Sequence, residues 1–367
     1  VILRATTARG PRPSTLSATA RASSTMSSKA VEDVEAEVDK RTLSSYIMTT
    51  TKDMEMTILM NAMQLACKLI ARAVRKAGVA NLYGLAGSAN ASGDDVKKLD
   101  VLSNEIMVNA LTNSGMCAVL VSEEEEEPII VGAEHRGPYC LAFDPLDGSS
   151  NIDCNVSTGT IFSVYKRTAD KSIEPTVADI LRPGTEMVAA GYCMYGSATD
   201  FVVSFGQGVH RFTLDDSVGE FVHFGEMTFP AKNKTIYSCN EGNFSLWDEP
   251  IQQATEYFKA ANPKPYSARY VGSMVSDVHR TILYGGVFYY PADKKSTKGK
   301  LRVLYEGFPM ALLTEQAGGM ANTGMYKGKL GRIMEVVPEN IHDRCPIIMG
   351  CPRDVEKVLS FYQKTDA

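Results

Sequence analysis

An acidic string in the first half of the chain has the residue types and spacing of a divalent-cation site. In the string Asp144–Ser150, Asp144 and Asp147 follow the apolar run 139–143 and are separated by a Pro-Leu pair. Two carboxylates one tight turn apart, with the Leu146 carbonyl between them, offer the oxygen ligands that Mg²⁺ prefers. The following Gly-Ser-Ser places amides and hydroxyls where a metal-bound phosphate would lie. We therefore predict a metal and phosphate site, with a plain surface turn as the alternative.

A second acidic run could complete this site. Five consecutive carboxylates, Glu123–Glu127, follow the apolar run 118–121. Such a run is usually a solvated surface stretch, and this remains the alternative. Beside Asp144 and Asp147, however, Glu123 and Glu124 would form a cluster of four acids that repel one another and require bound cations. The two runs together favour metal binding.

Two further strings carry acids to which spacing alone assigns no chemical role. The string 93–100 contains Asp94 and Asp100 downstream of a glycine-rich segment, and a loop leading to a helix cap explains it equally well. In the string 299–306, a strand-like alternation ends at Glu306 before a predicted helix. Alone, Glu306 would more often be a surface carboxylate than a metal ligand.

The elements that must position these acids predict an α/β protein of two packed halves. Apolar residues at spacings of three and four predict a helix that Asp53 caps and Gly78 follows. The other predicted helices cover 96–111, 250–261, 273–283, 309–317 and the segment after Pro352, and the predicted strands cover 118–121, 129–131, 139–143, 160–165, 188–194, 201–205, 209–214, 287–290 and 347–350. We predict an N-terminal metal-binding half at 53–225, with much antiparallel sheet, and a C-terminal half at 226–367.

Composition excludes several classes of protein. The 367 residues carry a net charge of −5 with 44% hydrophobic residues, which is ordinary globular usage without the basic excess of nucleic-acid or anionic-membrane binding. The longest uncharged stretch, 106–122, is interrupted by polar residues, so we expect no membrane span. The eight cysteines form no CxxC pair, and we expect reduced thiols.

Residues 1–52 are predicted to be a disordered N-terminal extension. Residues 1–25 contain four arginines, many small and hydroxyl residues and no acid, which is typical of a transit peptide. An unrelated tail before Met26 is the alternative. We expect a cytoplasmic protein, or a plastid one if this segment is a transit peptide.

The strings taken together resemble class 1 fructose-1,6-bisphosphatase, within the lithium-sensitive, metal-dependent sugar and inositol phosphatases. The strings that carry the resemblance are Ser122-Glu123-Glu124, 144–153, Asn240-Glu241-Gly242, 268–280 and 299–311, and it covers about 53–362. It implies a sugar-phosphatase fold of alternating helix and mixed-sheet layers, usually a homotetramer. It also implies Mg²⁺-dependent removal of the 1-phosphate of fructose 1,6-bisphosphate in gluconeogenesis, or in carbon fixation for a plastid form.

The resemblance also implies a role for each site residue. Two to three Mg²⁺ ions, with Mn²⁺ or Zn²⁺ as substitutes, would be held by Glu123, Glu124, Asp144, the Leu146 carbonyl, Asp147 and Glu306. Asp100 and Glu124 would activate the attacking water, with Asp94 supporting the loop that carries Asp100. The 1-phosphate would lie at Gly148, Ser149 and Ser150, and the sugar and its 6-phosphate at Asn240, Arg269, Tyr270, Tyr290 and Lys300, with Arg269 supplied by a neighbouring subunit.

Alternatives and departures from the family pattern remain. Sedoheptulose-1,7-bisphosphatase is the first alternative activity, and a non-catalytic sugar-phosphate-binding regulator is the second. Phe244 stands where many relatives have a phosphate-binding tyrosine, which would weaken 6-phosphate binding. Of the family's inhibitory AMP site, Thr57 and Tyr139 are kept, whereas Met54, Pro138 and Lys166 differ, so we predict weak AMP inhibition. The loop 168–186 has no cysteine, so dithiol control there is not expected.

Overall fold

The computed structural model describes residues 41–80, 82–89, 95–170 and 172–365. The helices of this part are α1 (Leu43–Thr51), α2 (Met54–Lys76), α3 (Lys98–Asn113), α4 (Glu249–Ala260), α5 (Met274–Tyr284), α6 (Phe308–Gln316) and α7 (Pro352–Thr365). The strands are β1 (Leu85–Ala89), β2 (Asp95–Lys97), β3 (Cys117–Ser122), β4 (Ile129–Ile130), β5 (Tyr139–Asp147), β6 (Thr158–Lys166), β7 (Met187–Tyr195), β8 (Thr199–Ser204), β9 (His210–Asp215), β10 (Glu220–Glu226), β11 (Ile236–Ser238), β12 (Ser267–Ala268), β13 (Val287–Tyr290), β14 (Leu301–Arg302), β15 (Met320–Tyr326), β16 (Lys329–Arg332), β17 (Arg344–Cys345) and β18 (Ile347–Gly350).

The first half is organised by an eight-stranded sheet. Its strand order is β10-β9-β8-β7-β6-β5-β3-β4, and every neighbouring pair is antiparallel except β3 and β5. Because β3 and β5 are parallel, their carboxyl ends meet at one edge of the sheet. Ser122 pairs with Phe143 there, so the acidic residues that follow each strand lie side by side.

The second half is organised by a mixed six-stranded sheet. Its order is β12-β11-β13-β18-β15-β16, with parallel pairing of β11 to both β12 and β13 and antiparallel pairing elsewhere. The strand β13 ends at Tyr290, and the short pair β14–β17 follows as a separate two-stranded sheet.

Helices and sheets alternate in layers, which confirms the predicted layered α/β fold. Side chains of β5 alternate between two cores, as a strand with both faces buried requires. Leu141 and Phe143 pack with α1, α2 and α3 on one face, whereas Cys140 and Ala142 pack with α5 and α6, which lie between the two sheets. A third core joins the other face of the six-stranded sheet to α4 and α7.

Helix α2 begins where the sequence predicts. The Asp53 carboxylate accepts the N–H of Met56 at 3.1 Å and caps the first turn, and Arg75 and Lys76 lie in the last turn. Among the described helices this one is long and apolar enough to cross a bilayer, but half of its most apolar stretch is buried in the protein. Its inward residues, such as Leu59 and Met63, belong to the core that contains Leu141 and Phe143.

The predicted disorder up to residue 52 is wrong for residues 43–51, which form α1. Thr42 caps this helix by accepting the N–H of Ser45 at 3.3 Å. Leu43, Tyr46 and Ile47 are buried. Burial of these apolar side chains offsets the entropy cost of ordering the segment. The sequence did not predict the helix because a pattern of three apolar residues over one short helix is a weak signal. Residues 1–40 lie outside the described part of the chain.

Several strands differ from the prediction. The strands β1, β2, β10, β11, β12 and β15–β17 were not predicted, and β2 occupies the start of the helix expected at 96–111. In β10 a polar residue, His223, takes a buried position, and the pairing with β9 is irregular between His223 and Gly225. Such a strand breaks the apolar alternation on which sequence reasoning depends.

Candidate active site

Three buried carboxylates meet at the edge where β5 ends. One oxygen from each of Asp144, Asp147 and Glu306 lies within 4.8 Å of the others. The sequence predicted a tight turn between the two aspartates, but β5 continues through Asp147. Its pairing with β6 is irregular between Asp144 and Asp147, and this bulge replaces the expected turn. Residues three apart on a regular strand face opposite sides, so the bulge brings both carboxylates to one site.

Glu306 reaches the cluster from a π-helical turn, Val303–Gly307, rather than from the end of a strand. The short strand β14 ends at Arg302, and the hydroxyl of Ser163 donates to the Leu304 carbonyl at 2.7 Å. The Glu306 carboxylate accepts the N–H of Arg302 at 2.5 Å. Single π-turns are frequent at functional sites because they re-aim one side chain.

The glutamate run divides between the site and solvent. Glu123 is buried, Glu124 is partly buried, and Glu126 and Glu127 are exposed. The N–H of Glu123 donates to the Phe143 carbonyl at 3.2 Å, which fixes it beside the end of β5. The run is therefore neither wholly a surface stretch nor wholly part of the cluster.

Arg302 partly neutralises the negative charge of these carboxylates. The Arg302 guanidinium lies 2.7 Å from the Glu123 carboxylate and 3.8 Å from that of Glu306. All three side chains are largely buried. An ion pair so placed avoids the cost of leaving either charge alone in the interior.

Burial raises the pKa of every carboxyl group in the cluster. It raises the pKa of Asp147 to about 6 and, against the nearby Arg302 charge, that of Glu306 to about 8. The pKa of Asp144 is well above its usual range because of burial and the charges of Glu123, Asp147 and Glu306. The fully ionised cluster is therefore unfavourable by itself. Its all-oxygen donors fit a hard divalent cation, which would favour the charged forms.

Two further carboxyl groups border the cluster. Burial, with the charges of Asp100 and Glu123, raises the pKa of Glu124 to about 8. Burial raises the pKa of Asp100 to about 6, although the N–H of Lys97 donates to its Oδ2 at 2.8 Å. The other oxygen, Oδ1, is buried and has no hydrogen-bond partner among the described residues.

The turn after β5 packs closely against the start of α5. Gly148 has a φ of 75°, and a side chain there would place its Cβ 2.8 Å from that of Ser273. Asp147 accepts the Ser273 hydroxyl at 2.9 Å and the N–H of Val275 at 3.0 Å, which joins the cluster to the start of α5. Only glycine fits this close approach at a positive φ.

A cavity of about 440 Å³ opens over the cluster. The predicted site residues that line it are Asp100, Glu123, Glu124, Asp144, Leu146, Asp147, Gly148, Ser149, Ser150, Tyr270, Tyr290, Lys300 and Glu306. This set contains six carboxylates, four hydroxyl groups and one lysine ammonium. A cavity of this size and polarity suits a small phosphorylated ligand.

Three predicted residues are not among those that line the cavity. Arg269 is exposed, and its guanidinium donates to the Ala268 carbonyl at 2.8 Å. The side-chain Oδ1 of Asn240 accepts the N–H of Gly242 at 3.2 Å and caps a short 3-10 helix. Asp94 lies outside the described residues.

Sequence reasoning assigned no role to three charged residues that line the cavity, Lys97, Asp277 and Arg302. Arg302 stands four residues before Glu306, a spacing that suggests an ion pair. The Asp277 carboxylate is fully buried and accepts N–H groups of Val271 and Gly272 at 3.0 to 3.2 Å. It thereby shapes the segment that presents Tyr270, and nothing in the sequence distinguishes it from an ordinary helix acid.

Two family models and several known proteins match most of this chain. The family model described as "Fructose-1-6-bisphosphatase, N-terminal domain" matches residues 40–226, and the C-terminal domain model of the same family matches 230–363. A cytosolic fructose-1,6-bisphosphatase of Arabidopsis thaliana is 55% identical over 316 residues, covering 85% of this chain and 90% of the relative. Fructose-1,6-bisphosphatase isozyme 2 of Bos taurus is 51% identical over 340 residues, covering 90% and 97%.

The fold has solved counterparts. A crystal structure of Leishmania major fructose-1,6-bisphosphatase in holo form superposes with a TM-score of 0.83 at 44% sequence identity. It covers 88% of this chain and 99% of the Leishmania chain.

Proposed function

The chain belongs to the fructose-1,6-bisphosphatase family, and from this premise we propose that it is a phosphoric monoester hydrolase that converts fructose 1,6-bisphosphate to fructose 6-phosphate and phosphate. The observation that carries the proposal is the buried cluster of Asp144, Asp147 and Glu306 at the base of a cavity lined by hydroxyl and cationic groups. The family is metal-dependent, and the reaction serves gluconeogenesis.

The metal is proposed to be Mg²⁺, with Mn²⁺ or Zn²⁺ as substitutes and two to three ions in each subunit. The ligands would be the cluster together with Glu123, Glu124 and the Leu146 carbonyl. When bound, Mg²⁺ lowers the pKa of water and neutralises charge on the transferred phosphate and the leaving oxygen. The Gly148 backbone and the Ser149 and Ser150 side chains are proposed to orient the 1-phosphate.

Asp100 and Glu124 are proposed to accept the proton of the attacking water. Burial raises the pKa of Asp100 to about 6, near the pH range in which a general base is most effective, and a cation bound at Glu124 would lower the pKa of about 8 that burial gives this carboxyl group. The buried Oδ1 of Asp100, which has no hydrogen-bond partner in the described part of the chain, is available for that proton. Asp94 is proposed to support the same loop.

The distal half of the cavity is proposed to bind the sugar and its 6-phosphate. Tyr270, Tyr290 and Lys300 line the cavity and supply two hydroxyl donors and an ammonium. The amide nitrogen of Asn240 would add a donor, since its carbonyl oxygen already accepts from Gly242. In this arrangement, residues 53–225 supply most of the metal site and residues 226–367 most of the sugar-phosphate site.

A homotetramer is proposed from the family resemblance, which implies that an arginine of a neighbouring subunit completes each site. The proposal is supported by the exposure of Arg269, which does not line the cavity of its own chain. Exposed apolar side chains on the outward side of α2, Ile58, Leu65 and Leu69, provide a surface that a second copy would cover. Light scattering on the purified protein measures the assembly.

A cytoplasmic location is proposed because the plant relatives are named cytosolic. A plastid location remains the alternative if residues 1–25 act as a transit peptide. Fluorescent fusions with and without these residues distinguish the two, since only a transit peptide would change the location.

The proposal is tested by phosphate release from the full chain. Fructose 1,6-bisphosphate, sedoheptulose 1,7-bisphosphate and inositol 1-phosphate are compared with Mg²⁺ and with a chelator, and Asp144→Asn serves as the matched inactive control. Mg²⁺-dependent release that is fastest from the fructose substrate is expected. Faster release from the sedoheptulose substrate would change the assigned substrate, and no release from any substrate would leave a non-catalytic sugar-phosphate-binding regulator.

A further inference from the structure

One carboxylate outside the cavity binds both sides of the base of the ribbon β1–β2, where β1 begins and β2 ends. Asp153 accepts the N–H of Gly84, directly before β1, at 3.1 Å. Its other oxygen lies 2.6 Å from the ammonium of Lys97, the last residue of β2. The N–H of Lys98 donates to the Gly84 carbonyl at 3.2 Å and closes the base of the ribbon. Asp153 therefore joins two segments that are thirteen positions apart in the sequence.

The same ribbon base positions Asp100. Lys97 immediately precedes α3, and its N–H donates to the Asp100 carboxylate at 2.8 Å. Asp100 is buried at the cavity wall. A change in the Lys97 backbone would therefore move the carboxylate that we propose as a base.

Asp153 itself is fixed to the phosphate side of the cavity. It lies in the 3-10 helix Ser149–Cys154, whose first two residues line the cavity. Neighbouring contacts hold this turn: the Asn151 amide donates to the Gly272 carbonyl at 3.0 Å. Asp153 thus connects the turn that faces the 1-phosphate with the ribbon that carries Asp100.

We propose that Asp153 is a positioning residue that couples the phosphate turn to the Asp100 ribbon. The proposal rests on the proposed function, because the consequence of the coupling is the placement of Asp100. An exposed ion pair alone contributes little. Here one carboxylate accepts from both the residue before β1 and the last residue of β2, so its removal loosens the two sides of the ribbon base together. A misplacement of about 1 Å at a reacting group is enough to slow catalysis strongly.

The first test measures kinetics and amide hydrogen exchange on the same variants of the full chain. Asp153→Ala is expected to lower kcat by about tenfold, with the KM for fructose 1,6-bisphosphate nearly unchanged. Exchange should become faster in peptides that span 84–98 and stay unchanged elsewhere. Glu174→Gln is the matched control, since Glu174 forms another exposed ion pair at 2.6 Å, with Arg136, away from the cavity lining.

A second test separates the two contacts of Asp153. Asp153→Asn keeps an acceptor for the Gly84 N–H but removes the charge that attracts Lys97, so its loss of kcat should be smaller. In a Lys97→Met background, Asp153→Asn should have no further effect. Independent, additive losses would show that Asp153 does not act through Lys97 and would overturn the coupling.

The outcomes distinguish this proposal from the proposed function. Unchanged kcat and unchanged exchange in Asp153→Ala, with an active wild-type enzyme, would refute the positioning role alone. A wild-type chain that releases no phosphate would refute the proposed function, while faster exchange at 84–98 would still show that Asp153 holds the ribbon.

Discussion

The Arg302 guanidinium lies 2.7 Å from the Glu123 carboxylate, beside the cluster of Asp144, Asp147 and Glu306. Glu306, 3.8 Å away, is the second acid in contact with this guanidinium. The acids raise the pKa of Arg302 above its usual value despite burial. Arg302 is therefore the protein's own counterion beside the acidic cluster.

Replacing this counterion should make stability dependent on metal. Arg302→Met leaves Glu123 and Glu306 buried without their partner, and we expect a loss of about 3 kcal/mol or more in unfolding free energy in chelator. Mg²⁺ should restore part of the loss. Urea unfolding with and without Mg²⁺ measures both effects, and Arg302→Met/Glu123→Gln should lose less. Equal stability of Arg302→Met and wild type in chelator would contradict the assignment.

Asp147 should have separable metal and structural roles. Asp147→Asn and Asp147→Ala should both abolish metal-dependent turnover, because a cluster carboxylate is lost. Only Asp147→Ala removes the acceptor of the Ser273 hydroxyl and the Val275 N–H. We expect it to be about 1–3 kcal/mol less stable than Asp147→Asn. Substantial activity in either variant would remove Asp147 from the metal site.

The stability of the metal-free protein should fall as pH rises. The folded-state pKa values of Asp147 and Glu306, about 6 and about 8, exceed those of unfolded chains. Between about pH 4 and 8 the folded state therefore binds more protons, and the unfolding free energy decreases with pH. Melting temperatures in chelator should drop from pH 6 to pH 8.5. Mg²⁺ should reduce this drop and bind more tightly at the higher pH.

A melting temperature independent of pH in chelator would contradict these raised pKa values. Asp144→Asn/Glu306→Gln provides the matched control, since fewer protons remain to be lost and the dependence should be weaker.

Arg269 of one subunit should complete the substrate site of a neighbouring subunit. Arg269→Ala should raise KM far more than it lowers kcat, because it is proposed to bind only the distal phosphate. When Arg269→Ala chains are dissociated and reassembled with Asp144→Asn chains, hybrid sites with intact chemistry and a neighbour's arginine should regain a low KM. Reassembly with chains that carry both substitutions is the control and should recover nothing. An unchanged KM in Arg269→Ala would exclude it from the site.

AMP should inhibit weakly. The Lys166 ammonium lies 3.1 Å from the Asp53 carboxylate, which also accepts the Tyr139 hydroxyl at 2.8 Å, beside a cavity of about 230 Å³. A lysine already paired with an acid is a poor phosphate ligand. We expect no low-micromolar half-inhibition in a rate assay. Pro138→Lys/Lys166→Arg should increase AMP sensitivity, and strong inhibition of the wild type would contradict the prediction.

Much of the fold was predictable because local periodicity decided it. The helix after Asp53 has its cap, its apolar spacing and its basic end within one segment. The strands 287–290 and 347–350 match their predicted bounds because they are short apolar runs between clear breaks. In contrast, α1 and β10 become stable only when they pack against distant parts of the chain. Their own residues carry too weak a signal.

The sequence alone determined which residues could do the chemistry, since acids, hydroxyls and cations in ordered strings define both the family and its reaction. Tertiary structure decided how they combine. Parallel pairing of β3 with β5 places Glu123 beside the end of β5, a bulge turns Asp144 and Asp147 to one side, and a π-turn brings in Glu306. Counterions such as Arg302 and supports such as Asp153 depend on contacts between residues far apart in the chain. Spacing could suggest the pair of Arg302 with Glu306, but periodicity and spacing report only near neighbours, so no local pattern could have shown the contact of Arg302 with Glu123 or those of Asp153 with the ribbon.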